Sequence, residues 1–82
     1  MAYELFISEE AREQLRALPR ELRRNIGFRL QILQDEFAGD IKKLEGSRSS
    51  YRLRVGANRI LFRLESQRIA VYAVRQRKDA YE

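Results

Sequence analysis

The sequence contains no cysteine and no histidine, and it has a single proline among its 82 residues. Without cysteine, neither a disulfide nor a thiolate metal site can support the fold. Without histidine, the usual zinc ligand sets and a serine–histidine–aspartate triad are also excluded. No apolar run approaches the ~20 residues that a membrane-spanning helix needs. The acidic opening MAYELFISEE does not fit a signal peptide. We therefore expect a cytoplasmic protein with no cofactor, no metal and no membrane contact.

Basic side chains are abundant, and their distribution along the chain is uneven. Residues 1–41 carry six basic and eight acidic side chains, whereas residues 42–82 carry eleven basic and four acidic ones. The net charge of +5 therefore arises from the second half alone. Such asymmetry is typical of a surface that binds a polyanion such as nucleic acid. On charge alone, a solvated basic face that serves solubility explains the pattern equally well.

The first half predicts one strand and two helices. Tyr3–Ile7 alternates as a short strand, and Ser8 is a suitable N-cap for the helix that follows. Pro19 ends that helix and can occupy the first turn of the next one. Gly39 is the expected stop of the second helix. Apolar residues recur in the second helix at spacings of four, four, three and four: Leu22, Ile26, Leu30, Leu33 and Phe37.

The second half predicts three consecutive strands joined by short turns, Tyr51–Val55, Arg59–Leu64 and Ile69–Gln76, which form an antiparallel meander. Lys42–Leu44 is a candidate for a further short extended piece. The order β-α-α-β-β-β describes a single α+β domain over residues 1–82, in which a helical hairpin packs on a twisted antiparallel sheet.

Alternation in the first of these strands separates charge from apolar surface. Tyr51, Leu53 and Val55 share one face, whereas Arg52 and Arg54 share the other. We therefore predict a sheet with an apolar back and a cationic front. A polar outer face is common in antiparallel sheets, so this pattern alone does not establish a binding site.

Several motifs in order give the chain a resemblance to the RelE/ParE toxin superfamily, and to its RelE-like branch in particular. The resemblance covers nearly the whole chain. Its motifs are Ile7-Ser8 at the end of the first strand, Leu18-Pro19 between the helices, Lys43-Leu44-Glu45-Gly46, the run Tyr51-Arg52-Leu53-Arg54-Val55-Gly56, Asn58-Arg59-Ile60-Leu61-Phe62, and the tail Arg77-Lys78-Asp79-Ala80-Tyr81.

The resemblance implies the toxin of a toxin–antitoxin system, with a cognate antitoxin as its partner. RelE-like members are mRNA interferases, ribosome-dependent endoribonucleases that cut mRNA by metal-independent attack of a 2′-hydroxyl. It also implies roles for particular residues. By resemblance, the catalytic residues are Arg59, Arg77 and Tyr81, and Arg52 and Arg54 occupy the place of a basic pair that binds RNA. Lys42, Lys43 and Lys78 are further candidates for RNA binding because of their charge.

The tail departs from the family pattern at two positions. Gln76 stands where many relatives have a histidine before the tail arginine, and Arg75 replaces a glycine. Arginine suits the stabilisation of phosphorane charge, because its planar fork binds phosphate oxygens and stays protonated. Proton transfer to and from the reacting oxygens also needs a base and an acid. Tyr81 and Lys78 are the candidates for that task.

Two alternatives remain open at the level of sequence. ParE-like members share the fold but poison DNA gyrase by binding it, and the missing tail histidine favours that alternative slightly. A catalytically weak member would instead act through its antitoxin complex and bind operator DNA through that complex. The basic pair Arg52 and Arg54, together with Arg77, favours the nuclease.

Overall fold

Two helices cover one face of a five-stranded sheet in the computed structural model, which describes residues 2–46 and 48–76. The elements in chain order are β1 (Glu4–Ile7), α1 (Glu9–Arg16), α2 (Arg20–Glu36), β2 (Asp40–Lys43), β3 (Ser50–Val55), β4 (Asn58–Glu65) and β5 (Arg68–Gln76). The α+β class and the predicted element order are confirmed. The candidate extended piece forms the additional strand β2, which begins two residues earlier than predicted. Neither helix in the described part of the chain has the length and apolar character needed to cross a membrane.

The sheet has the strand order β1-β5-β4-β3-β2. Strands β3, β4 and β5 form the predicted antiparallel meander, and β2 adds to its edge antiparallel to β3. Strand β1 lies at the other edge and pairs with β5 in parallel. The sheet is therefore mixed, and the prediction of an antiparallel sheet holds for β2 to β5 but not for β1. Two helices connect β1 to the rest of the sheet, so no tight hairpin forces it to run antiparallel to its neighbour.

Local sequence explains where α1 begins and how it attaches to the sheet. Ser8 is its N-cap, as predicted, and the Ser8 hydroxyl accepts a hydrogen bond of 3.1 Å from the Ala11 N–H. Near the C-terminal end of β5, the Val74 N–H donates a hydrogen bond of 2.6 Å to the side-chain carbonyl of Gln14. Ala11 is completely buried against the sheet. The helix is thus held to β5 by both packing and a hydrogen bond.

The second helix ends earlier than its apolar pattern predicts. It starts after Pro19, which is its N-cap, and stops at Glu36, because Phe37 adopts a left-handed conformation with φ of 50°. The Phe37 ring packs 5.4 Å from Tyr3 and 6.0 Å from Phe62, measured between ring centroids. We attribute the early stop to this aromatic packing, which turns the chain toward β2.

Gly39 consequently has a different role from the predicted helix stop. Its φ is +139°, and a Cβ built on it would lie 2.8 Å from Leu53 Cδ1. A side chain at this position would collide with the core and strain the backbone. The glycine allows the chain to pass close over β3 before it enters β2.

Most of the core lies between the helices and the back of the sheet. Its fully buried large side chains come from α2 and from the back-facing positions of the inner strands. They are Phe62, Ile26, Leu33, Leu53, Ile60, Ile69 and Val71. Neither helix of the described residues covers the opposite face of the sheet, here called the front face.

Candidate nucleic-acid interface

Three arginines lie side by side across the front face. In the register of the sheet, Arg54 on β3 is opposite Arg59 on β4, and Arg59 is opposite Arg75 on β5. Residues that pair directly across antiparallel strands point to the same face, and neighbouring strands are ~4.8 Å apart. We call Arg54, Arg59 and Arg75 the arginine row.

Such a row opposes stability, because like charges directly opposite one another on adjacent strands repel. On β2, Asp40 is in register with Arg54 and extends the row by one carboxylate. The line of residues in register therefore crosses four strands, with one acid on β2 and one arginine on each of β3, β4 and β5. Positive charge concentrated in this way is well suited to an anionic ligand.

The arginine row continues into an open groove of about 420 Å³ at the β2–β3 edge. The groove is lined by Lys42, Lys43, Leu44, Glu45, Arg52, Arg54 and Arg59. Lys42 is in register with Arg52, one step along the strands from the row. Lys43 is in register with Tyr51 and borders the groove from the exposed edge strand. All five of the basic site residues predicted within the described ranges therefore line this groove. Lys42, Arg52, Arg54 and Arg59 do so from the front face, whereas Lys43 does so from the edge, because its partner Tyr51 faces the back of the sheet.

The exposure of these side chains differs within the groove. Arg54, Lys42 and Lys43 are exposed, whereas Arg52 and Arg59 are half-buried. A half-buried arginine packs its aliphatic stem along the strand and keeps its guanidinium at the surface. Arg52 and Arg59 are accordingly the better-positioned members of the set, and the exposed ones contribute charge around them.

The chemistry available in the groove is that of phosphate binding. Guanidinium groups grip phosphate oxygens through two parallel hydrogen bonds and remain charged at any physiological pH. In residues 2–46 and 48–76, no cluster of three acidic, histidine or cysteine side chains is placed to hold a metal ion. Glu45 is the carboxylate among the groove-lining residues. The groove can therefore bind phosphate and stabilise negative charge that develops on it.

Three predicted site residues, Arg77, Lys78 and Tyr81, lie outside the described residues. The last described residue before them is Gln76, which is in register with Asn58, the neighbour of Arg59 in the chain.

Arg75 is a front-face residue that sequence reasoning missed, and the reason is a bulge. A simple hairpin from the Glu65–Arg68 pair would place Val74 opposite Arg59. The register instead shifts between Leu61 and Phe62, so that Tyr72 has no partner on β4. The shift brings Arg75 opposite Arg59. Nothing in the local sequence marks this bulge, because neither glycine nor proline occurs in β5.

Comparisons with known proteins agree with this architecture. No protein-family model and no curated protein sequence matches the chain. Solved structures do match. In an archaeal RelE–RelB complex from Pyrococcus horikoshii, the matching chain is 26% identical with a TM-score of 0.82, and the match covers 94% of this chain and 97% of that one. In the Methanococcus jannaschii RelB–RelE complex, the matching chain is 26% identical with a TM-score of 0.81, and the match covers 94% of this chain and 95% of that one.

The isolated Escherichia coli RelE toxin shares the fold at a TM-score of 0.75, with 21% identity over 92% of this chain and 84% of that one. The similarity spans nearly all of the chain in each case. It agrees with the order of sequence motifs that runs from the first strand to Phe62. The chain therefore belongs to the RelE-like toxin superfamily.

Proposed function

We propose that this protein is the toxin of a toxin–antitoxin pair and that it cleaves mRNA on the ribosome, by attack of the 2′-hydroxyl on the adjacent phosphate. The observation that carries the proposal is the groove, which is lined by five predicted cations and in which the sheet register places Lys42 beside Arg52 and Arg54 beside Arg59. A surface that only kept the protein soluble would not need its charges in direct register, since such pairs repel.

The reaction asks three things of its catalyst. The 2′-hydroxyl must lose a proton, the charge on the phosphorane must be stabilised, and the leaving 5′-oxygen must gain a proton. In this proposal Arg59 and Arg77 hold the scissile phosphate and stabilise its charge. Arg52, Arg54, Lys42, Lys43 and Lys78 bind the flanking RNA backbone.

Proton transfer is assigned to the tail, through Tyr81 or Lys78. Neither is matched to neutral pH as histidine is, so we expect slow chemistry on free RNA. Correct alignment of the 2′-hydroxyl with the phosphate can supply a large part of the missing rate. The ribosome would provide that alignment by holding the mRNA in a fixed conformation.

The proposed partner is a cognate antitoxin, since the solved structures that match include RelE–RelB complexes. An acidic segment laid over the groove would neutralise the arginine row and block access of RNA. The complex, rather than the toxin alone, would then bind operator DNA. Co-purification with an acidic polypeptide encoded beside the gene tests this part of the proposal.

Mapping transcript 5′ ends after brief expression in growing bacteria tests the nuclease function. We expect new ends in phase with codons for the wild type. Arg59→Ala and Arg77→Ala should each reduce them about a hundredfold, the effect of losing ~3 kcal/mol of transition-state stabilisation. Arg20→Ala, an exposed position at the start of α2, is the matched control and should cut like the wild type. Intact mRNA accompanied by DNA breaks would contradict the proposal and indicate a gyrase poison.

A further inference from the structure

Two arginine–aromatic pairs lie on the front face outside the groove. The Arg68 guanidinium carbon lies 4.6 Å from the centroid of the Phe6 ring, and that of Arg63 lies 4.9 Å from the Tyr72 ring. Both arginines lie near the turn between β4 and β5, where solvated surface side chains are expected. Both are indeed exposed, but each is held over a ring.

The register of the sheet places the two pairs next to each other. Phe6 on β1 is in register with Ala70 on β5, and Ala70 is in register with Arg63 on β4. The small Ala70 side chain thus lies between the pairs and forms a low floor. Phe6, with 46% of its surface exposed, stands at one side of that floor.

The core does not require an aromatic ring at Phe6. Its neighbours Leu5 and Ile7 point to the back of the sheet and pack on the core, whereas Phe6 points away from it. Exposed cation–π pairs contribute little to fold stability. An exposed ring that is covered by a guanidinium and contributes little to the core is a feature that ligand binding explains better than folding does.

Strand β4 connects these pairs to the groove. Arg59 lines the groove, and Leu61 and Arg63 follow it at alternate positions on the front face. Four residues of strand span ~13 Å. A nucleic-acid strand whose phosphates lie at Arg59 can therefore extend along β4 and reach the two pairs.

We propose that Arg68–Phe6 and Arg63–Tyr72 form a platform on which unpaired bases of the bound RNA stack. Unpaired bases stack on aromatic rings and on arginine guanidinium planes, with little dependence on sequence. The inference rests on the proposed RNA cleavage and adds a second contact region to it. An acidic peptide is the less suitable occupant, because Arg68 is in register with Glu4 and Glu65, whose carboxylates would repel it, and because its own carboxylates would leave the rings unused.

The test compares the binding of two 2′-O-methyl RNA oligonucleotides, which cannot be cleaved, of about four and about ten nucleotides. We expect the longer one to bind more tightly to the wild type than charge alone explains. Phe6→Leu keeps an apolar side chain and Arg68→Lys keeps the charge, but each removes a stacking surface. Each variant should bind the longer oligonucleotide about tenfold more weakly than the wild type does, and should bind the shorter one with unchanged affinity.

Phe28→Leu is the matched control, because Phe28 is 60% exposed on α2, away from the front face. It should bind both oligonucleotides as the wild type does. Unchanged binding of the longer oligonucleotide by Phe6→Leu and Arg68→Lys would overturn the platform. The platform would also be overturned if the longer oligonucleotide still bound as tightly after its distal bases were replaced by abasic residues.

Two further outcomes separate this inference from the proposed function. If Arg54→Gln no longer binds the shorter oligonucleotide, this supports the groove independently of the platform. If the groove fails this test, the dependence of the longer oligonucleotide on Phe6 still decides the platform. If Phe6→Leu weakens binding of a polyglutamate peptide but not of RNA, the surface belongs to an acidic protein partner and the platform is wrong.

Discussion

The two faces of β3, β4 and β5 share one backbone and have opposite properties. On the back, Leu53, Ile60 and Phe62 are at most 1% exposed and pack beneath the helices. On the front, the alternate positions of the same strands place Arg54 opposite Arg59, on the face that neither described helix covers. The back stabilises the fold by burying apolar surface, whereas the arginine row on the front opposes it by charge repulsion. Removing a core side chain from the back should therefore lower stability, and removing an arginine of the row should raise it.

The largest effect is expected at the centre of the back face. Phe62 is fully buried, stacks on Tyr51 with ring centroids 5.5 Å apart, and contacts Phe37 edge to face. Phe62→Ala should lower the free energy of unfolding by about 3–5 kcal/mol, because it removes this contact area and leaves a cavity. Urea denaturation followed by circular dichroism measures the change.

Phe28→Ala is the control for that measurement. Its ring is 60% exposed, so its removal should change stability by less than ~1 kcal/mol. Equal losses in the two variants would mean that the back face does not dominate stability.

A smaller effect is expected where the chain passes over the back face. Gly39→Ala places a Cβ 2.8 Å from Leu53 Cδ1 at a φ of +139°, so it should cost about 1–3 kcal/mol. Gly27→Ala is its counterpart within α2, where an added Cβ meets nothing within 4 Å. That change should stabilise the protein by about 0.5–1 kcal/mol, because alanine is the better helix former. Chemical denaturation measures both changes in the free energy of unfolding. Changes of the same sign in the two variants would contradict the expected role of Gly39.

The back face was largely predictable from sequence, because its elements follow strong hydrophobic periodicity. The spacing from Ile26 to Leu33 predicts the buried stripe of α2, and the alternation in β3 predicts which side chains enter the core. The prediction failed at Phe37, where the helical spacing continues but the ring leaves the helix to join Tyr3 and Phe62. Such tertiary packing is not visible in a local pattern.

The front face was predictable in its residues but not in its full geometry. Alternation predicts that Arg52 and Arg54 share a face. The predicted β4 starts at Arg59, but in the structure it starts at Asn58, and the resulting two-residue turn at Gly56 and Ala57 places Arg54 opposite Arg59. Arg75 joins the row only because of the bulge at Tyr72, which changes the register of the whole second half of β5. A one-residue shift of this kind depends on packing across the sheet, so the sequence pattern does not reveal it.

A hydrogen bond between α1 and β5 gives the next prediction. The Val74 N–H donates to Gln14 at 2.6 Å, and Val74 is only 8% exposed. Gln14→Leu keeps the size of the side chain but leaves this N–H without its acceptor, and should cost about 1–3 kcal/mol, toward the lower end because the site is partly exposed. Gln31→Leu on the exposed side of α2 is the control and should change little. If hydrogen exchange of the Val74 amide is equally slow in both variants, the side chain does not protect it.

The smallest change in stability, and the one of opposite sign, is expected in the arginine row. Arg75 has Arg59 as its partner on β4, so Arg75→Gln removes a like-charge pair and should raise the free energy of unfolding by about 0.2–1 kcal/mol. Arg54→Gln should gain less, because Arg54 is also in register with Asp40 and loses that attraction. Both gains should shrink as salt rises, since exposed charges are screened over ~10 Å at 0.1 M.

The same two variants should bind RNA more weakly and with a shallower salt dependence, because fewer phosphates are neutralised. Denaturation and RNA binding measured on the same samples test the two effects together. If either variant lost stability as well as RNA affinity, the row would be a structural feature of the sheet and its like-charge register would no longer argue for a ligand.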